Sequence, residues 1–432
     1  MKTVVIIGGG AAGMMAAATI GEVEARVSAG SCDVEIVLLE KGNRLGKKVL
    51  LTGGGRCNVT TGLTDVREVL TKYPRGGKFL RDAMYNFSPP MMMEWVSAHG
   101  VPLKTEKDLR VFPVSDRSSD IVGIFEKVLS ESGVKIVFGV EDVRVGKGRG
   151  GKGHVGFEVG FGGDRVVHAD KVIVATGSSA EGYEIARSLG HSVTKLAPSL
   201  CGLSVGDRWV KSLAGLSFKD VKLKLVCGAE KKLASLATPA VSGGGSVFEF
   251  RGPFLFSHKG VTGPACFALS ALSAYEEIGE HDLAKLRLDF FPDLSYEELL
   301  IEIAREVAKN PKKFLQNTLG LFMPKSFVTE VLGWIGVDGS KKNSCIAKRE
   351  LNKVIEAFKN LSISIVGRAG GEEFVTAGGI DLKEVNPKTM ESKICSGLYF
   401  AGEILDIDGF TGGFNLQAAW ATGRRAGERV LS

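Results

Sequence analysis

Apolar residues in this chain follow three rhythms, and each predicts a different kind of element. The first is the short unbroken run. Val4-Val5-Ile6-Ile7 leads into Gly8-Gly9-Gly10-Ala11-Ala12-Gly13, which predicts a buried strand, a glycine turn and a helix over Ala12 to Ile20. A second run, Val34 to Leu39, ends in Glu40, and a third, Lys171 to Val174, ends in the small-residue turn Ala175-Thr176-Gly177-Ser178. The second rhythm is helical. It appears near Lys78 to Tyr85, over Pro89 to Ala98 and over Ser118 to Ser130, which leads to a strand at Val134 to Phe138. It returns from Ser295 to Phe358, with apolar residues at i, i+3 and i+4. The third is alternation, from Val193 to Phe256, where short strand-like runs are separated by turns. Unbroken runs resume near Thr376. Gly397-Leu398-Tyr399-Phe400 reads as a strand, and Gly412-Gly413-Phe414-Asn415-Leu416-Gln417 opens a helix to about Val430.

The first of these patterns carries chemistry. In the G-x-G-x-x-G turn, Gly8 permits the tight turn, Gly10 lets backbone approach a pyrophosphate, and Gly13 lets helix and strand pack closely. The helix N-terminus, where Ala12 lies, attracts phosphate. Glu40, at the tip of the second strand, is placed to accept hydrogen bonds from a ribose. It stands further along the chain than the usual spacing of about twenty residues, an excess that the segment Val27 to Asp33 explains. The run Gly146 to Gly153 has the same formula but no strand feeding it and no helix after it, so it reads as a mobile hairpin loop.

Because dinucleotide-type signals stand at both ends, the middle reads as an insertion. The expected class is α/β, a Rossmann-like dinucleotide-binding domain interrupted by a β-rich and a small helical domain; a resemblance of its C-terminal turn and helix to flavoproteins implies an FAD-binding domain of the two-dinucleotide-fold type. The expected boundaries are 1–192 with 370–432, then 193–256 with 359–369 for a barrel-like domain, and 257–358 for the helical one. The length of 432 residues suits two or three domains. Apolar content of 44% and charged content of 24% describe a globular, enzyme-like chain. The net charge of +6 is mild, and the lysine-rich stretches Lys222 to Lys232 and Lys341 to Lys348 read as solvated faces. No contiguous basic face with interleaved aromatics is legible, so no nucleic-acid partner is expected. Seven scattered cysteines without a C-x-x-C pair, and histidines without ligand spacing, argue against zinc or dithiol chemistry and for a reducing compartment. With no secretory signal and no spanning run, the expected location is the cytoplasm and no membrane partner is expected. No G-x-S-x-G elbow supports nucleophilic hydrolysis.

Five motifs recur in order: Lys47-Lys48-Val49, Thr52-Gly53-Gly54-Gly55-Arg56-Cys57-Asn58, Phe256 to Pro264, Thr376 to Ile380 and Gly402 to Gln417. Together they resemble a family of bacterial NAD(P)/FAD-dependent oxidoreductases that includes aminoacetone oxidase and a dehydro-bile-acid reductase. The resemblance covers essentially the whole chain, with Ser257 and Thr262 where Thr and Ser are common. It implies that a carboxylate after Gly402 holds the ribityl chain, here Glu403 in place of the usual Asp. It also implies that the backbone at Gly413, Phe414, Asn415 and Leu416 faces the flavin pyrimidine ring. Reduced flavin carries negative charge there, which the roughly half positive charge of a helix N-terminus stabilises. By the same resemblance the nest-like turn Gly53-Gly54-Gly55 with Arg56 and Asn58 lies along the flavin. Lys41 and Lys47, Val143, Thr176 and Gly177 complete the expected cofactor contacts. Lys41 and Lys47 read equally well as surface lysines. Cys57 is better explained as a small buried residue than as a redox thiol. His258 better suits a helix entry than catalysis. No catalytic residue is assigned, and the oligomeric state is open.

The electron partners are not decided by these residues. No second strand–G-x-G-x-x-G–helix unit occurs between residues 60 and 370, so NAD(P)H would be a transient co-substrate. The leading expectation is an FAD-dependent oxidoreductase transferring hydride between flavin N5 and a small organic substrate. An oxygen-using amine oxidase and a flavoprotein with a binding or RNA-modifying role remain alternatives.

Overall fold

A computed structural model describes residues 2–27, 34–149, 155–228, 246–279, 284–369 and 375–432. Most of the Val27 to Asp33 segment and the end of the Gly146 to Gly153 run lie outside them. The chain divides into two compact units, Met1–Ala197 with Val375–Ser432, and Pro198–Phe374.

The first unit is built on a five-stranded parallel sheet in the order Leu398–Phe400, Lys171–Val174, Lys2–Ile7, Val34–Glu40, Lys135–Phe138. Its strands are unbroken apolar runs because the sheet is covered rather than solvated on one side. Val4, Val5, Ile6, Val172, Ile173, Val174 and Phe400 are wholly buried. Parallel pairing of Lys2–Ile7 with both Lys171–Val174 and Val34–Glu40 carries the turns after all three strands to one edge of the sheet. Ligands bind at such an edge in open α/β sheets.

The two chain ends are joined through two helices, Ala11–Val27 and Phe414–Arg429. Side chains at Gly423 and Gly427 would fall 2.3 Å and 2.7 Å from the carbonyl oxygens of Ala12 and Ala16, so only small residues at this spacing allow the approach. Gly146 and Gly148 lie within the strand Arg144–Arg149, paired antiparallel with Val155–Phe161.

His191 is a buried polar joint of this unit. Its Nδ1 lies 3.2 Å from Glu384 Oε2, its Nε2 lies 2.9 Å from Ser392 Oγ, and its ring meets Phe400 edge-on at 4.8 Å. Burial holds its pKa below the usual 6.5, against the opposing pull of Glu384. The folded protein therefore resists a proton that the unfolded chain accepts, so this stability is complete above pH 6.5 and is lost as pH falls below it toward the folded pKa. Thermal midpoints measured from pH 7.5 down to 5 should decline, and His191→Gln should show a shallower decline.

The second unit is a closed six-stranded antiparallel barrel, ordered Leu203–Val205, Gly260–Thr262, Val247–Ser257, Ser217–Val226, Ala284–Asp289, Leu361–Arg368. Alternation places Val221, Leu223, Leu225, Leu286, Leu288, Ile363 and Ile365 inside. Two barrel strands, Gly260–Thr262 and Ala284–Asp289, come from the stretch 257–358 that sequence reading gave to a helical domain. Helices Tyr296–Lys309, Lys325–Ile335 and Lys348–Asn360 share one continuous apolar cluster with the barrel, where Phe327 and Phe358 meet Phe256, Phe290 and Phe291. Lys222 and Lys224 pair with Glu249, and Lys341 with Glu350, as expected of solvated faces.

Candidate functional site

Every residue expected to line the cofactor belongs to the first unit. The Gly8 to Gly13 turn follows the central strand directly. Gly13 is pressed against the Gly8 carbonyl, where a Cβ would stand 1.9 Å from the oxygen, whereas a Cβ at Gly10 would meet no protein atom within 4 Å. The turn is thus closed on its sheet side and open on the other, as a surface for a close-lying phosphate must be. Glu40 organises it. Its Oε2 accepts the Gly9 amide at 2.7 Å and its Oε1 accepts the Gly42 amide at 2.6 Å, and each oxygen keeps a further acceptor site.

The C-terminal strand ends in Gly402-Glu403. Glu403 Oε1 accepts the Thr376 amide at 3.2 Å and Oε2 accepts from Lys48 Nζ at 2.6 Å. Gly177, with φ +62, lies beside the same carboxylate, where a Cβ would stand 3.6 Å from Oε2. Thr176 turns its hydroxyl inward, where it is buried without a partner in the described structure.

Lys48 was not singled out from the sequence. It and Lys47 are neighbours on the short helix Lys47–Leu51, and about 100° of rotation per residue separates them, so only one can face the carboxylate. Lys47 and Lys41 are exposed and make no ion pair with a described carboxylate. Val143 gives its amide to Glu181 Oε1 at 2.8 Å, an acceptor that sequence reading also missed.

The Arg-Cys-Asn loop and the C-terminal helix form one wall. Gly53, Gly54 and Gly55 take left-handed φ values of 59°, 69° and 86°, and no protein atom lies within 4 Å of a Cβ on the last two. Behind them Trp420 Nε1 donates to the Val59 carbonyl at 2.9 Å, and Thr60 Oγ1 bonds Gln417 at 2.7 Å. The helix starts abruptly at Gly413, whose φ of +89 and closeness to the Thr60 carbonyl (2.4 Å from a Cβ) admit no side chain. The amides of Phe414, Asn415 and Leu416 lie in a first turn that has no intrahelical acceptors. Asn415 spends its side chain on the preceding loop, exchanging two 2.8 Å hydrogen bonds with Gly409. Tyr73 OH bonds the Phe414 carbonyl at 2.7 Å.

Two loop side chains have protein partners. Arg56 lies 3.9 Å over the Phe112 ring and pairs with Glu106 at 2.8 Å and Asp116 at 3.6 Å, while Asn58 Oδ1 accepts the Val111 amide at 3.2 Å. Cys57 is wholly buried, and burial pushes its thiol up to about 12 despite a side-chain hydrogen bond with Thr52. A thiol held so far above neutral pH is a poor nucleophile. Alkylation of the native protein near pH 8 should label exposed Cys345 and spare Cys57, which should react only after unfolding, as read by peptide mass spectrometry.

These observations fit FAD. An exposed glycine turn at a helix start suits a diphosphate, paired carboxylates suit sugar hydroxyls, and a second helix start suits the anionic side of the ring. The profile described as "HI0933-like protein Rossmann domain" matches residues 2–429. The chain belongs to this family. HI0933-like proteins are a group of FAD-binding oxidoreductases, and this chain is a flavoprotein oxidoreductase.

Among its relatives, a 3-dehydro-bile acid delta(4,6)-reductase of Clostridium scindens is 30% identical over 434 aligned residues, covering 99% of this chain and 98% of that one. A ribosomal RNA dihydrouridine synthase of Escherichia coli is 28% identical, covering 97% and 95%. That name counts against the expectation that no nucleic acid is bound. Among solved structures, a 3-ketosteroid-delta4-(5alpha)-dehydrogenase from Rhodococcus jostii matches with a TM-score of 0.50 at 15% identity, over 100% of this chain and 97% of that one. At that identity the likeness is one of fold. Among the described residues no helix is long and apolar enough to cross a membrane.

Proposed function

We propose that this HI0933-like protein is a reductase of carbon–carbon double bonds conjugated to a carbonyl, with NAD(P)H as a transient electron donor. The observation that carries the reading is the helix start at Gly413, whose first-turn amides point positive charge at the position an anionic reduced ring would take. Bound FAD would supply N5 as the hydride acceptor and donor. The chain's own part is to hold and bias. Gly8, Gly10, Ala12 and Gly13 would seat the diphosphate and Glu40 the adenosine ribose. Val143, Thr176 and Gly177 would border the adenosine side, with Lys41 and Lys47 at its exposed rim. Glu403 would take ribityl hydroxyls, aimed by its ion pair with Lys48. Gly53, Gly54, Gly55, Arg56 and Asn58 would wall the ring, Gly402 would let the chain pass close, and Gly413, Phe414, Asn415 and Leu416 would face its pyrimidine edge.

The proposed substrate class is supported by two relatives whose names describe chemically alike reductions. A delta(4,6) bond of a 3-dehydro bile acid and the uracil ring of RNA each present a double bond conjugated to a carbonyl. Such a bond accepts hydride at the carbon remote from the carbonyl and a proton at the adjacent one, balancing two electrons and two protons. The test is anaerobic. NADH or NADPH should bleach the flavin bands of the purified protein, and a steroid enone or a uracil-containing RNA should restore them while a saturated ketone does not. Recolouring by oxygen alone, with no response to any conjugated acceptor, would overturn the reading.

A further inference from the structure

The Pro198–Phe374 unit carries a groove of about 530 Å³ lined by Tyr296, Trp334, Arg349, Asn352, Lys353 and Glu356 among others. We propose that this groove binds single-stranded RNA, stacking one base on Trp334 and seating the adjoining phosphates on Arg349 and Lys353. The inference does not depend on which acceptor the flavin domain reduces.

Trp334 is 45% exposed, although a ring of that size is normally buried, and it is held from beneath by Trp209, 5.2 Å away and tilted by 27°. A tryptophan fixed by a second tryptophan is a preorganised stacking platform, which loses little entropy when a flat ring settles on it. Arg349 and Lys353 are four residues apart, hence on one face of the helix Lys348–Asn360, and neither forms an ion pair with a described carboxylate. That sets them apart from Lys222, Lys224 and Lys341, whose charges are matched. Lys353 is steered by a 3.4 Å bond to the carbonyl of Ile335, at the end of the helix that bears Trp334. Arg349 also stands in the first turn of its helix, where the dipole adds positive potential.

The same helix supplies further polar residues to the lining. Asn352 Oδ1 is buried without a hydrogen-bond partner in the described structure, while the Asn352 carbonyl is taken by Tyr296 OH at 3.1 Å. Glu356, engaged by Asn360 at 2.8 Å, adds one negative charge to the lining.

The experiment is fluorescence anisotropy of a labelled oligouridylate with the full-length, FAD-loaded protein at low and at physiological salt. Trp334→Ala should weaken binding about tenfold, and Trp334→Phe should recover most of it, since stacking needs only a flat ring. The double variant Arg349→Gln with Lys353→Gln should lower the slope of log affinity against log salt by about 1.4, two phosphates at roughly 0.7 each. Thermal midpoints and flavin absorbance, read on the same samples, should match the parent; if Trp334→Ala fails to fold, the double variant carries the test. The proposal is overturned if the parent does not bind RNA, if these variants bind as the parent does, or if an acidic peptide displaces the oligomer completely. Reduction of a small enone is measured alongside. Its loss in the parent would refute the reductase reading and leave the groove standing, and its presence without RNA binding would do the reverse.

Discussion

Gly13→Ala should purify without flavin and melt well below the parent, whereas Gly10→Ala, three residues earlier in the same turn, should melt like the parent and still lose FAD. The difference is one of neighbours. A methyl at position 13 would lie 1.9 Å from the Gly8 carbonyl oxygen and 3.1 Å from its carbon, both backbone atoms that no rotamer change can move. The helix Ala11–Val27 must then lift from its strand, and overpacking of this kind typically costs about 1–3 kcal/mol or more. A methyl at position 10 meets no protein atom within 4 Å, so nothing in the fold resists it; what it would meet is the proposed diphosphate. The ratio of flavin to protein absorbance and the thermal midpoint separate the two effects. Full flavin occupancy in either variant would refute the assignment of this turn to the diphosphate.

Asp408→Ala should be the most destabilising single change in the loop that precedes the C-terminal helix, by about 3–5 kcal/mol in denaturant unfolding. The Asp408 side chain is wholly buried, and both of its oxygens accept from the Arg75 guanidinium, which is only 15% exposed. Removing the carboxylate leaves a largely buried cation stripped of this bidentate partner, which is far more costly than never having built the pair. The loop also carries Asp406, whose carboxyl is held above its usual range by burial, and Gly409, which Asn415 clamps. Loosening it should therefore weaken FAD retention as well. A loss below about 1 kcal/mol would show that the pair is a surface-like contact of the kind that contributes little.

Arg75 and Asp408 also illustrate what sequence reading missed. They are 333 positions apart, and although Asp408 falls inside the Gly402 to Gln417 motif, nothing in the chain marks Arg75 as its partner. The glycine turns, by contrast, were legible, because a turn and the helix it opens are written in consecutive residues. The barrel lies between these cases. Ala284-Lys285-Leu286-Arg287-Leu288-Asp289 alternates plainly, yet three- and six-residue strands inside a helical stretch carry too few periods to be told from loop.

Lys47 and Lys48 mark the same limit at the site. Composition and motif place two lysines there, and only the phase of a five-residue helix chooses Lys48 for Glu403. The groove shows it again, since Trp334 and the Arg349–Lys353 pair belong to different helices and do not form a contiguous basic, aromatic stretch in the chain. Local order was thus the sequence's own doing: where strands start, where the backbone must be bare, and where helices begin with unsatisfied amides all follow from steric and dipolar demands among near neighbours. Which distant side chains meet, and so whether a cysteine is inert, a lysine is paired or a tryptophan is exposed, was decided by packing. Burial and charge partners are properties of the folded surface, on which sequence separation imposes no distance.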